Sequence, residues 1–205
     1  MADAPSGGRA RQRLRTRKHL LEAATRLVKA GRSPTLEEVA EEALVSRATA
    51  YRYFPSTDAL MVEAALDFAF PAAEPLFAGG PADPAERVIL AEQAVDAMVE
   101  ENEVALRLML INSLKLSLAA AAGEGRQNRR VPLIEAALAP AAERLDELTT
   151  ERLTAILALI IGTEARLVFK DVLGLDRTAA ADAKAWAIRT LVEAALRESV
   201  SDDLA

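Results

Sequence analysis

An apolar spacing of three and four residues runs through this chain almost from end to end. Nowhere do apolar and polar residues alternate with the period of two that a half-buried strand requires. Ala, Leu, Glu and Arg, all good helix formers, dominate the same stretches. An all-α fold of about nine helices follows. The first is expected over 13–30, with Leu20, Leu21, Ala24, Leu27 and Val28 inward and Gly31 as its C-cap. Thr35 and Glu38 have capping-box spacing ahead of Leu36, Val39, Ala40 and Ala43. Ser46 is placed to cap a third helix that Pro55 ends, and Ser56 a fourth reaching about Ala69. After a loop over 71–84, helices fit 85–101, 103–122, 131–148 with Pro140 breaking or kinking it, 150–173 ended by Gly174, and about 178–198.

With 205 residues, 51% of them hydrophobic, the chain can bury a sizeable core. It has no cysteine and one histidine, His19, which excludes a disulfide framework and a thiolate or histidine-rich metal site. Neither a metal nor a cofactor is expected. The longest uncharged run, Leu153 to Thr163, has eleven residues, short of the ~20 that cross a bilayer. The basic N-terminus has no continuous apolar segment behind it and does not read as a secretory signal. A cytoplasmic protein with no membrane partner is the expectation. The net charge of −6 is uneven: residues 1–60 hold eleven Lys and Arg against seven Asp and Glu, and the remainder is acidic. Arg9, Arg11, Arg13, Arg15, Arg17 and Lys18 form a run without an acid. Such a run is either a solvated leader or the end that meets a polyanion, and charge alone does not choose.

The arrangement that does choose is two short helices joined by a tight turn with a third packed behind, which is a helix-turn-helix. Its second helix lies in the DNA major groove with its N-terminal side chains toward base edges. Here that helix runs from Ser46 through Arg47, Ala48, Thr49, Ala50, Tyr51, Arg52 and Tyr53 to Phe54, with no acid among them and Phe54 as inward anchor. Arg47 is suited to a bidentate pair with guanine O6 and N7, and Ala48 to a thymine methyl. Thr49, Tyr51 and Tyr53 offer hydroxyls to phosphate oxygens, and Thr35 stands at a helix start where an anion is welcome. Arg15, Ser46, Arg52 and Thr57 complete the candidate DNA contacts.

The residues Thr35 to Ala40, Val45 to Ser56, and Ala59-Leu60 resemble the tetracycline-repressor (TetR) family, above all in the Thr-x-Tyr-x-Tyr-Phe run before a Ser-capped helix. The resemblance covers about residues 13–66. It implies a homodimeric repressor whose first three helices bind double-stranded operator DNA and whose larger variable domain binds a small effector and dimerises. By that resemblance Thr35, Thr49, Tyr51 and Tyr53 match phosphate-contacting positions and Arg47 a base-reading one. Three positions depart: Leu44 stands where the turn usually has glycine, Ala50 where helix 3 usually has leucine, and Thr57 where helix 4 frequently starts with lysine. The expected organisation is a flexible basic arm over 1–12, a helix-turn-helix domain over 13–55, and an effector-binding and dimerisation domain over 56–205.

In the acidic remainder, the helix expected over 150–173 is apolar on more than one face. Such a helix is buried all round. With small residues along the last helix, it suits an isologous four-helix dimer interface, for which the candidates are Leu159, Gly162, Ala165, Trp186, Ala187, Leu191 and Ala194. An ordinary monomeric core is the competing reading. Candidate effector contacts are Arg107, Met109, Asn112, Ser113 and Glu164, the last a carboxylate on an apolar stripe that either orients a ligand or meets a structural arginine. Aromatics make up 4% of the chain, which favours a largely apolar, aliphatic effector over a planar cation. No phosphate-binding glycine loop or nucleophile elbow is present, and Glu100 and Glu101 project ~100° apart on a helix, so an enzyme is not expected. The expectation is a bacterial, ligand-responsive repressor of a palindromic operator. The alternative is an all-helical small-molecule-binding or adaptor protein with a weakened helix-turn-helix.

Overall fold

The computed structural model describes residues 6–119 and 128–202. Its α-helices are α1 (Ser6–Lys29), α2 (Leu36–Glu42), α3 (Arg47–Tyr53), α4 (Thr57–Ala69), α5 (Ala73–Phe77), α6 (Pro84–Glu101), α7 (Glu103–Ala119), α8 (Arg130–Leu138), α9 (Glu147–Ile160), α10 (Thr163–Leu167) and α11 (Arg177–Asp202). A 3-10 turn covers Ala139–Ala141 and a π-helical turn Val168–Val172, and no strand occurs among the described residues. No helix among those residues is long and apolar enough to cross a membrane. Two more helices are present than expected. Ala73–Phe77 is helical inside the expected loop, and the helix expected over 150–173 is divided.

The chain forms two compact units: α1 to α4 with α7 from Val104 onward, and the remaining helices. The first therefore runs to Ala69 rather than ending at 55, because α4 packs along α1. In it Leu20 and Leu21 of α1, Leu36 and Val39 of α2, Ala50 of α3, Phe54 just after α3, and Leu60 of α4 are all at or near zero exposure. The backbone is already helical at Ser6, so α1 starts seven residues before the expected position 13.

The second unit is organised around α6, which packs on α8, α10 and α11, while α9 lies against α8 and α11. Val88, Val95, Ile134, Leu157, Ile161, Ile188 and Val192 fill its core. Pro140 does break its helix: α8 ends at Leu138, and α9 begins afresh behind the N-cap Asp146. At Gly162 the backbone takes φ +117°, a conformation nearly confined to glycine. A Cβ there would meet Arg130 Nε at 2.7 Å. Arg130 instead donates to the carbonyl of Ala158 at 3.0 Å, the acceptor that an unbroken helix would have given to the amide of Gly162.

Candidate nucleic-acid interface

The geometry of the first unit is set by local capping. Thr35 Oγ1 accepts from the amide of Glu38 at 3.3 Å while the Glu38 carboxylate accepts from the amide of Thr35 at 2.8 Å. This is the full capping box, worth about 1 kcal/mol to a helix this short. Ser46 Oγ accepts from the Thr49 amide at 3.1 Å and starts α3 in the same way.

Between them the chain turns at Leu44, which adopts φ +56° although it is not glycine. The amide of Val45 donates to the carbonyl of Ala40 at 2.9 Å and that of Leu44 to Glu41 at 3.0 Å. These are the two bonds of a Schellman motif. The side chain of Leu44 is 93% exposed, so no packing accompanies the left-handed backbone. The turn therefore keeps the conformation that glycine would adopt, and the departure at this position costs strain rather than shape.

Behind the turn, Arg17 of α1 fixes the end of α3. Its guanidinium donates to Glu63 of α4, with Nε to Oε1 at 3.0 Å, and to the carbonyl of Tyr53 at 3.2 Å, and it lies 4.5 Å from the centre of the Phe54 ring. Sequence reading places Arg17 in the basic run. The structure folds it inward, with its side chain 15% exposed, whereas Arg13 and Arg15 point out. No local spacing couples Arg17 to a residue 46 positions away, so the partner was not legible.

The exposed face of α3 carries Arg47, Ala48, Tyr51 and Arg52, with Thr49 half-buried beside them. The Tyr51 hydroxyl donates to Glu37 of α2 at 2.8 Å. That bond, with the charge of Arg47 nearby, holds the Glu37 carboxyl below the usual carboxylate range, while the bond and the Glu37 charge raise the Tyr51 phenol against the opposing pull of Arg47. Glu37 was not among the expected contacts, because Thr35 and Glu38 absorb the capping signal around it.

Two expected DNA contacts are placed differently. Tyr53 is 4% exposed and belongs to the core, since residues two apart on a helix project about 200° from each other and Tyr51 faces outward. The Thr57 hydroxyl accepts from the amide of Leu36 at 3.1 Å and ties α4 to the start of α2. Ser46 is exposed, but its hydroxyl serves the cap and lies 2.8 Å from that of Thr49.

In the second unit the interface and effector candidates also sort themselves. Leu159 and Trp186 are each 70% exposed, and Ala187, Leu191 and Ala194 are half-buried on a neighbouring face of α11. Gly162 and Ala165 are corrected: the first is the helix break against Arg130, and the second is buried inside its own unit. Glu164 pairs with Arg130, which is the structural-arginine alternative. Arg107, Met109 and Ser113 lie half-buried on α7, in the first unit, and the side chain of Asn112 is outside the described residues.

A cavity of about 260 Å³ opens among Asp96 and Glu100 of α6, Arg166 of α10, Lys170, and Arg177 and Lys184 of α11. Its floor is a buried ion cluster. Lys184 reaches Asp96 at 2.9 Å and also pairs with Glu92, and Arg166 reaches Asp96 at 3.3 Å. Burial pushes the Glu92 carboxyl up, against the opposing pull of Lys184. No group of three or more metal-ligating side chains occurs among the described residues.

A capped helix pair with an arginine- and tyrosine-bearing second helix defines a helix-turn-helix DNA-binding domain. Residues 20–64 match the family model described as bacterial regulatory proteins, tetR family, so this segment of the chain is similar to the DNA-binding part of TetR-family transcriptional regulators. No curated protein and no solved structure matches the chain. The family consists of regulators rather than enzymes.

Proposed function

We propose that the protein is a homodimeric, ligand-responsive repressor acting in the bacterial cytoplasm on a palindromic operator. It reads its half-sites through Arg47, with Thr49 and Tyr51 on phosphates and Thr35, Arg15, Ala48 and Arg52 flanking them. The observation that carries the reading is the outward face of α3, which is free of acids and capped at both ends by its own unit. The preserved turn at Leu44 weakens the alternative of an adaptor with a vestigial helix-turn-helix.

Dimerisation is supported by Leu148, Ile156 and Leu159, which form an exposed apolar stripe on α9, with Trp186 on the neighbouring α11. A monomer leaves those side chains in water, whereas an isologous four-helix contact buries them. A palindromic operator presents two half-sites roughly 34 Å apart, one for the reading helix of each protomer. The expectation of a largely apolar effector rested on aliphatic composition. The cavity beside Arg166 offers such a ligand Phe169, Leu175 and Ala180, with charged side chains sharing its wall. An effector that alters the spacing of the reading helices weakens DNA binding, and DNA weakens effector binding by the same factor. No catalytic role is assigned. Sedimentation with DNase footprinting on the chain's own upstream DNA tests the proposal. A dimer protecting two symmetric half-sites is expected, and a monomeric mass at micromolar concentration contradicts it.

A further inference from the structure

We infer that Glu37 sets the sequence-independent DNA affinity of this protein by competing with phosphate for the hydroxyl proton of Tyr51. The inference rests on the reading that α3 faces a duplex. Glu37 lies in the first turn of α2, yet its carboxylate reaches across to the exposed face of α3, where Tyr51 Oη donates to it at 2.8 Å. A phenol has one proton to donate, and phosphate oxygens only accept. Tyr51 therefore serves the carboxylate or a phosphate, never both at once. The other first-turn acid, Glu38, is engaged by the Thr35 amide and by Arg32 at 2.6 Å, which turns its charge toward the capping box and away from α3.

Glu37 thus brings a negative charge to a face that α3 itself leaves free of acids. The carboxylate is ionised at neutral pH, because the Tyr51 hydrogen bond and the Arg47 charge both favour its anion. Binding to unrelated sequence is almost wholly electrostatic, so it bears both penalties: the loss of a ready donor and the repulsion of a nearby anion.

The test needs no operator. Fluorescence anisotropy is measured on the full chain with a labelled random-sequence duplex of about 30 base pairs, at about 50 and 200 mM salt. Wild type, Glu37→Gln, Tyr51→Phe, the double variant and Arg47→Ala are compared, with helicity checked by circular dichroism. Glu37→Gln should bind roughly two- to fivefold more tightly at the lower salt, and the gain should shrink at the higher. In the Tyr51→Phe background the gain should be clearly smaller, since no hydroxyl is there for the weaker, neutral acceptor to yield to phosphate. Unchanged or weaker binding by Glu37→Gln overturns the inference, weaker binding identifying the carboxylate as a direct acceptor from DNA. An equal gain in both backgrounds overturns the competition for Tyr51. If wild type does not bind the duplex, or Arg47→Ala binds it equally well, the DNA-facing reading of α3 fails and this inference with it.

Discussion

Arg17 of α1 and Glu63 of α4 form a largely buried ion pair whose guanidinium also holds the carbonyl of Tyr53, the last residue of α3. One side chain thereby joins three helices at the base of the reading helix. Removing either partner takes away the main counter-ion of a largely buried charge, a loss of up to about 3–5 kcal/mol. Arg17→Ala and Glu63→Ala should each lower the denaturant midpoint of the first unit, and Arg17→Lys should rescue little, because a point charge does not reproduce the fork. Stability equal to wild type in Arg17→Ala would show that the pair is ornamental.

Leu44 gives the opposite prediction. Its left-handed backbone costs an L-residue roughly 1–2 kcal/mol, and its exposed side chain offers no packing in return. Leu44→Gly should raise stability by about 1 kcal/mol or somewhat less after the entropy of glycine is deducted, at unchanged denaturant slope. A lower midpoint would mean that the turn depends on leucine.

Much of the first unit was legible in sequence because its signals are local. The capping box of Thr35 and Glu38, the Ser46 cap and the Phe54 anchor each act within a few residues and appear where expected. What was not legible is long-range. The Arg17–Glu63 and Tyr51–Glu37 contacts join residues 46 and 14 apart, and periodicity carries no record of such pairs. In the second unit, the uncharged run around Ile160 reads as one helix because the apolar period continues through Gly162. The break depends on Arg130, more than thirty residues earlier, supplying the missing donor. The same blindness placed Ala165 at an interface rather than in its own core.

That break is testable on its own. Gly162→Ala adds a methyl group where Arg130 sits and forces alanine to φ +117°, so it should destabilise the second unit by at least ~1–3 kcal/mol. In an Arg130→Ala background the added cost should fall, since the clash is gone and only the backbone strain stays. Full additivity in the double-mutant cycle would show that the two residues do not meet.

The Glu92–Lys184 pair predicts a pH signature. The folded pKa of Glu92 is raised by burial, so the folded state holds that proton more tightly than the unfolded one. Its contribution is fully present below the ordinary value of 4.5 and is lost as pH rises through the raised one. Glu92→Gln should therefore remove a fall in stability over that window, measured by denaturation at successive pH values. Lys184→Met, which strands the Glu92 carboxylate, should cost about 3–5 kcal/mol near neutral pH, and much of it should return in the Lys184→Met/Glu92→Leu double variant.

The most direct test of the account is a mobility shift with DNA from the chain's own upstream region, comparing wild type with Arg47→Ala at fixed salt. The account predicts a retarded complex that the variant weakens by ~1–3 kcal/mol, with discrimination relaxed at one base position. Equal affinity and equal discrimination in the two proteins would contradict the assignment of α3 as the reading helix.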